Sequence, residues 1–560
     1  MEKKIVKKAA VKTGSDQGSR HPQKWLGSAW PLLWFALAGF LLFGQTLRFD
    51  YTWLDDQTLV LNNLENLKSA ANIPSAFTGD VFHSLPGNRY YYRPVLTLSF
   101  MADAGIGGGS FTAFHAGNIL YHVIAVFLVF LLFAELGFDR LRSFLFSMLF
   151  LVHPLVTQVV AWVPGRNDSL LAIFSAGSFL FFIRYLKTGR QLTLWLSFFF
   201  YVLALFTKEN AIVIPFLFAA YAFLVSRVPW KKMFLPVLSW ILLTTAWAVI
   251  RHQALGAQGG ASLFVQVLSV MRGLPALLPF LGKAVFPFDL SVFPILADMK
   301  VSLVLGMGVL VLLGVLFRFT APADRALSAI GLAWFLAFLV PSFVSVSGQI
   351  PNYSEHRSYL SLAGILLMVL ASAPVKKASF SSVPPLVVMA GTILLFGLLT
   401  FRHAGNFRDR LTFWKNAVET SPSHAFNYNN LGAMYFLDHE FEKAEPYFLK
   451  AIEINPYEPM AHSNAGLICM NTGRPAEAEK FYLEEIRINP KYDHAYFNLG
   501  ILYYNSGKYD EGIRLWEKTL EINPGYKDAY DALLFAFQKL DRPGDRDRIL
   551  KKATENRITH

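Results

Sequence analysis

The sequence predicts an all-α protein in two parts: a polytopic bundle of about eleven membrane-spanning helices, followed by an α-solenoid of short helical repeats. Three observations predict it. The 560 residues are 54% hydrophobic and only 16% charged, and the mean hydropathy of +0.38 is too high for an ordinary soluble chain. The excess lies between Trp30 and Thr400, as apolar stretches separated by short basic clusters. After FRHAGNFRDR the chain turns charged and Tyr- and Asn-rich, and Ser421-Pro422, Asn455-Pro456, Asn489-Pro490 and Asn523-Pro524 recur every 34 residues.

The chain divides accordingly into a basic cytoplasmic tail (1–27), a membrane domain (28–402) with an external loop (48–110), a connector or half repeat (403–423), and repeats with a C-terminal cap (424–560). Lys3, Lys4, Lys7, Lys8 and Lys12 precede the first apolar segment, Trp30 to Leu47. That segment is too long for a signal-peptide core and has no small-residue cleavage site after it, so it reads as a retained helix with its basic side inside. Further spans fall at 111–135, 143–163, 170–186, 192–206, 211–225, 233–250, 303–319, 327–344, 360–372 and 385–401. Residues 261–300 are apolar but interrupted by Pro275, Pro279, Pro287 and Pro294, which suggests an interfacial or re-entrant segment. This count makes the protein an integral, multi-pass membrane protein (inner membrane, if bacterial) with its repeats on the periplasmic or lumenal side. One more crossing would put the repeats in the cytoplasm, the side that Arg402, Arg408 and Arg410 favour.

The net charge of +12 serves topology rather than nucleic acid, since no recognition module or basic face accompanies it. The single Cys469 excludes an intrachain disulfide, and its register in the repeats suggests a buried, inert thiol.

The 34-residue period is that of tetratricopeptide repeats, each two antiparallel helices packed on the next pair. Tyr428, Leu431, Gly432, Tyr435, Ala444, Phe448, Ala451 and Pro456 occupy the pattern in the first full repeat. The repeat from Pro459 is looser, with Glu485 where a small residue is expected, and the last, from Lys527, loses the pattern after Phe537 and reads as a cap. Trp414, Ala417 and Pro422 form half a repeat before the first. Asn427, Asn430, Asn464 and Asn498 lie on first helices, placed to bond a peptide partner or to serve as polar filler.

Polar residues of the membrane part gather on its external side: Asp55 and Asp56; Tyr92 and Arg93; His115, Asn118 and His122; His153; Arg166 and Asp168; Lys208 and Glu209; Glu355, His356 and Arg357. Ionisable groups at membrane depth are expensive and usually functional. A carboxylate accepts a proton from an attacking hydroxyl, several cations hold a phosphate leaving group, and helix grooves take a lipid tail. That combination fits sugar transfer from a polyprenyl phosphate.

WLDD, YYYRP, FHAGNILYH, HPLVTQVVAWVPGRNDSL, FTKENAIVIP and EHRSYLSLAG follow one another as in the transmembrane-and-tetratricopeptide-repeat protein O-mannosyltransferases and their bacterial relatives, which this chain resembles. Those proteins are similar to the polytopic GT-C glycosyltransferases, so the resemblance implies a GT-C-like membrane domain. It implies a catalytic base at Asp55 or Asp56 and a donor phosphate near Arg93, His153, Arg166, Lys208 and Arg357; the polar cluster adds His356 to the phosphate site and a pocket of Tyr92, His115, Asn118, Asp168, Glu209 and Glu355. Asp56 is slightly favoured as base, because Trp53 and Leu54 look packed into the membrane edge, and the neighbouring acid would orient the hydroxyl or hold an optional divalent cation; no other cofactor is implied. Gln158 stands where many relatives carry an acid. The expected reaction moves a mannose-like sugar to a protein Ser/Thr hydroxyl, the repeats recruiting the acceptor. The alternatives are a lipid-linked glycan or envelope lipid as acceptor, or an inactive membrane-anchored scaffold. The expected partners are the donor lipid, the bilayer and the acceptor protein, without nucleic acid.

Overall fold

The computed structural model describes residues 30–82, 90–256, 262–344 and 353–556. The tail 1–27 lies outside these, as do residues 345–352 of the loop before Glu355. Among the described residues every regular element is helical.

Eight helices are long and apolar enough to cross a membrane: Trp30–Arg48, Phe111–Glu135, Val163–Thr188, Trp230–Leu255, Leu263–Val285, Lys300–Phe319, Pro322–Phe343 and Val383–Phe407. The pair Arg140–Val152 and Pro154–Ala161, bent by 56°, makes up to nine, and Pro94–Gly107, Gln191–Thr207 and Glu209–Leu224 are shorter apolar helices. The chain is a multi-pass membrane protein.

Proline accounts for three departures from the sequence reading. The span expected at 143–163 is broken, because Pro154 forces His153 into an extended conformation (φ −69°, ψ 132°) and ends the helix at Val152. Within the external loop, Pro94 occupies the first turn of a 14-residue helix, Pro94–Gly107, where its missing N–H is no loss. Residues 263–285, expected to be interrupted, have the length and hydropathy of a span. Pro275 starts a 3-10 turn and Pro279 falls in the first turn of Leu277–Val285, where no N–H partner is needed, while Pro287 and Pro294 lie in the loop beyond.

Close packing between Pro322–Leu339 and Tyr359–Ala371 fixes the turn that precedes the second helix. A Cβ on Gly331 would stand 2.6 Å from the Gly364 carbonyl oxygen, so only glycine permits this approach.

The repeats form helix pairs from Ala425 to Glu555. In each of the first three, an aromatic ring of the second helix covers a glycine of the first: Phe448 on Gly432, Tyr482 on Gly466, Trp516 on Gly500, with virtual Cβ contacts of 2.8, 2.7 and 2.5 Å. Glu485 has a physical reason to depart from the pattern. Its buried carboxylate accepts from Met460 N (3.0 Å) and Ser463 N (3.3 Å), capping a helix whose lead-in residue, Met460, is left-handed at φ 70°.

The array is docked rather than tethered. Trp414, fully buried, packs with Phe293, Phe413 and Phe426 in a core shared with Phe49 and Trp162 of the membrane part. Its indole N–H donates to the Thr52 carbonyl at 3.1 Å. Asp298 accepts from Ser423 N and Oγ at 3.0 and 2.7 Å, and Arg410 stacks on Trp53 at 4.9 Å. The array therefore lies at the end of the bundle that carries the Asp55 loop. Trp414→Ala is expected to cost about 3–5 kcal/mol of stability and to expose 403–423 to protease. A melting curve and cleavage map matching the parent's would refute the docking.

Candidate active site

The chain turns back at Trp53, a non-glycine residue at φ 58°. This brings Thr52 against the carboxylate four residues on. Asp56 Oδ2 accepts from Thr52 N (2.7 Å) and Thr52 Oγ1 (3.0 Å), and Oδ1 accepts from Leu54 N (2.9 Å) and Gln57 N (3.1 Å). Four donors occupy Asp56, which is fully buried. Asp55 is half-buried, accepts no hydrogen bond among the described residues, and lies in the field of Arg93. The carboxylate left open is thus Asp55, where the sequence slightly favoured Asp56. Burial, reinforced by Asp56, pushes the Asp55 carboxyl up to about 6 while Arg93 opposes it. Burial likewise pushes Asp56 up to about 6, against the donors from Thr52 and Leu54.

Opposite Asp55 the structure gathers residues from four segments. Arg93 Nη2 donates to Glu209 Oε2 at 3.3 Å, and its guanidinium lies 4.6 Å over Tyr91. With its amide oriented as its neighbours require, Asn167 accepts from Arg93 Nη1 at 3.2 Å. Lys208 Nζ donates to Asp168 Oδ1 at 2.7 Å. The close-packed helices hold Arg357, bonded to the Ser342 carbonyl, where it feels Arg93, Asp168 and Tyr91. Burial pulls the Arg357 guanidinium down to about 10, leaving it charged at neutral pH. Burial also lowers Lys208, with Asp168 opposing. His356 is held well below the usual imidazole range by burial and by Lys208, Arg357 and Arg93, so it faces this cluster neutral. Three polar atoms here are buried without a partner among the described residues: Arg93 Nε, Glu209 Oε1 and His356 Nδ1.

Six other candidates do not open into this cluster. Arg166, fully buried, spends its guanidinium on Asn118 Oδ1 (2.7 Å), the Ser99 carbonyl (3.3 Å), the Phe114 carbonyl and an ion pair with Asp103. Asn118 in turn donates to the Val160 and Trp162 carbonyls at 3.0 and 2.9 Å, tying down the break after Pro154. His153 bonds the Ala284 carbonyl (3.1 Å) through Nε2 and accepts from Leu155 N (3.2 Å) at Nδ1. The Tyr92 hydroxyl donates to the Phe77 carbonyl at 3.0 Å. Glu355 Oε1 accepts from Lys283 Nζ (2.8 Å) and Ser291 N (3.0 Å), with His403 Nε2 3.4 Å from Oε2. Burial would raise Glu355, but Lys283 and His403 hold it down to about 2. His115 is buried beside Phe49 with both ring nitrogens unpartnered among the described residues.

Gln158 accepts from His356 N at 3.1 Å and donates to the Val292 carbonyl at 3.3 Å, so it holds the His356-Arg357 turn in place. For a divalent cation the acidic pair is a poor fit: Asp56 is taken up by its donors, and among the described residues no three His, Cys, Asp or Glu side chains converge.

In the repeats, Asn427 is buried and donates to the Ala417 carbonyl at 2.9 Å, which removes it from any binding face. Asn430 bonds its own helix at the Phe426 carbonyl (2.8 Å), and Asn464 donates to Asn429 Oδ1 in the preceding repeat (2.9 Å). Asn498 is half-buried, and its side chain makes no hydrogen bond among the described residues.

The reading of the sequence missed two buried partners, Asp103 for Arg166 and Lys283 for Glu355. Each was visible as a lone charge in an apolar run.

The families described as Tetratricopeptide repeat match residues 425–458, 461–492 and 494–526. Among curated proteins, the chain is similar to Protein O-mannosyl-transferase TMTC4 of Mus musculus, 32% identical over 35% of this chain and 30% of that one. Protein O-mannosyl-transferase TMTC2 of Homo sapiens is 31% identical over 27% of this chain and 18% of its own. Protein O-mannosyl-transferase F38B6.6 of Caenorhabditis elegans is 24% identical over 68% of this chain and 56% of its own. The match thus spans less than two thirds of the length of each relative. With its polytopic helical part and its repeats, the chain is similar to the tetratricopeptide-bearing membrane proteins named protein O-mannosyl-transferases.

Proposed function

We propose that the chain is a GT-C-type membrane glycosyltransferase that moves a mannose-type sugar from a polyprenyl phosphate to a protein Ser/Thr hydroxyl. The observation that carries this reading is the meeting of Arg93, Lys208 and Arg357 opposite the unbonded Asp55, with buried polar atoms left open between them. The Asp55 carboxylate takes the proton of the acceptor hydroxyl, and its oxygen forms the new bond to the sugar's anomeric carbon. The bond from that carbon to the phosphate oxygen breaks, and its electron pair leaves with the phosphate, whose charge the three cations offset. Asp168 and Glu209 hold Lys208 and Arg93 in position. An apolar groove of about 420 Å³ lined by Ile212, Phe216, Val237 and Ile241 starts three residues beyond Glu209 and suits the prenyl chain.

Lys208→Ala and Arg357→Ala are each expected to weaken polyprenyl-phosphate binding about ten- to a hundredfold, the range for a hydrogen bond to a charged group, as read by titration in nanodiscs. Unchanged affinity in both would overturn the phosphate site. Transfer should also rise with pH through about 6, since Asp55 acts only once deprotonated. A rate flat from pH 5 to 8 would rule Asp55 out as base. With the basic tail in the cytoplasm, the Asp55 loop and the repeats face the periplasm or lumen. A C-terminal reporter should be active there, and activity only in the cytoplasm would reverse the orientation.

A further inference from the structure

Beside the cluster lies a second polar hollow, of about 240 Å³, whose lining includes Asn63, Asn66, Asn72, Thr97, Leu67 and Met101. It is walled by the turns that follow Asp56 and by the helix that follows Arg93. Thr97 N bonds the Arg93 carbonyl at 3.3 Å, so Arg93, Thr97 and Met101 follow one another at four-residue steps along one face of Pro94–Gly107. Its floor is formed by Asn63 and Thr97, residues only 6% and 7% exposed.

Those two floor residues hold unused hydrogen-bonding capacity. Asn63 Oδ1 accepts from Asn66 Nδ2 at 2.9 Å, and Asn72 Nδ2 donates to the Asn66 carbonyl at 3.1 Å. Asn63 Nδ2 and Thr97 Oγ1 make no hydrogen bond to protein among the described residues and stay open to the hollow. Among the described residues no ionised side chain lines the hollow, which turns away phosphates, carboxylates and amines as preferred ligands. Carboxamides and a hydroxyl both donate and accept, as sugar hydroxyls do, while Leu67 and Met101 offer an apolar wall for the C–H face of a pyranose. A space of this size suits one ring; an extended polypeptide requires a continuous groove.

We propose that this hollow binds one neutral hexopyranose unit, either free or already carried by a polypeptide. The proposal goes beyond the transfer reaction and does not depend on it, because it concerns a site without cations, set apart from the donor phosphate.

The test uses the full chain in nanodiscs with ¹³C-methyl methionine, which labels 12 positions, the Met101 signal being assigned through Met101→Leu. The probes are methyl α-mannopyranoside, a threonine peptide carrying one O-linked mannose, and the same peptide unmodified. The Met101 signal is expected to move and saturate with the mannoside. Thr97→Val, which removes only a hydroxyl, and Asn72→Ala, at the rim, should each weaken that response about tenfold, the factor that one hydrogen bond supplies. Lys208→Ala should leave it unchanged. Tighter binding of the glycopeptide than of the mannoside would identify a sugar read on the acceptor, and equal binding a free sugar; both support the site. A Met101 signal that ignores the mannoside, or that moves only with the unmodified peptide, would overturn it. So would a response lost in Lys208→Ala and kept in Thr97→Val. Because the readout is local binding, an inactive transferase leaves the result interpretable.

Discussion

Asp55→Asn is expected to lower sugar transfer about a hundred- to ten-thousand-fold, the contribution of a general base, while expression, membrane insertion and polyprenyl-phosphate binding persist. The asparagine keeps the shape of the side chain but not its capacity to take a proton. Asp56→Asn should behave differently. One of its atoms becomes an NH₂ group facing the N–H donors of Thr52 or of Leu54 and Gln57. The loop loses its clasp, so stability falls along with rate. The comparison requires transfer from a radiolabelled polyprenyl-phosphate sugar and a melting curve for each variant. A normal rate in Asp55→Asn with a dead but well-folded Asp56→Asn would return the base to Asp56.

Arg166→Met is expected to cost about 3–5 kcal/mol of folding stability, the usual result of removing one partner of a buried ion pair. Asp103 would be left as an uncompensated carboxylate inside the bundle. Asn118, which both receives the guanidinium and holds the Val160 and Trp162 carbonyls, would lose its orientation. Much of the protein should then fail to reach the membrane folded, and what does should melt early in detergent. A variant that melts with the parent but no longer binds polyprenyl phosphate would show that Arg166 serves the ligand instead.

These two cases also show what was legible in the chain. The repeats were read down to single residues, because a 34-residue period constrains every core position and Gly432, Gly466 and Gly500 must each admit a ring. Apolar runs exposed most of the membrane helices for a similar reason: length and composition suffice. Within the external polar cluster, residue type alone could not tell a binding group from a brace. Arg93 and Arg166 look alike in sequence. They differ because Asp103 lies 63 positions from Arg166 and reaches it across two helices. Glu355 is likewise removed from the pocket by Lys283, 72 positions away. The choice between Asp55 and Asp56 turned on the positive φ of Trp53, a conformation that no residue pattern around a tryptophan announces. His153 ended as a hinge because the proline after it broke a helix that hydropathy had drawn as continuous.

Trp414 holds the carbonyl of Thr52, and the N–H and hydroxyl of that same Thr52 hold Asp56. The array and the loop are thus two arms of one calliper, joined at Thr52. A polypeptide gripped by the repeats would meet Asp55 at a set reach along its length, and hydroxyls nearer or farther than that reach would escape modification. In a substrate with threonines spaced along an unstructured segment, modified positions would cluster at one distance from the gripped motif. Inserting or deleting a helix pair would move that distance by a repeat's width.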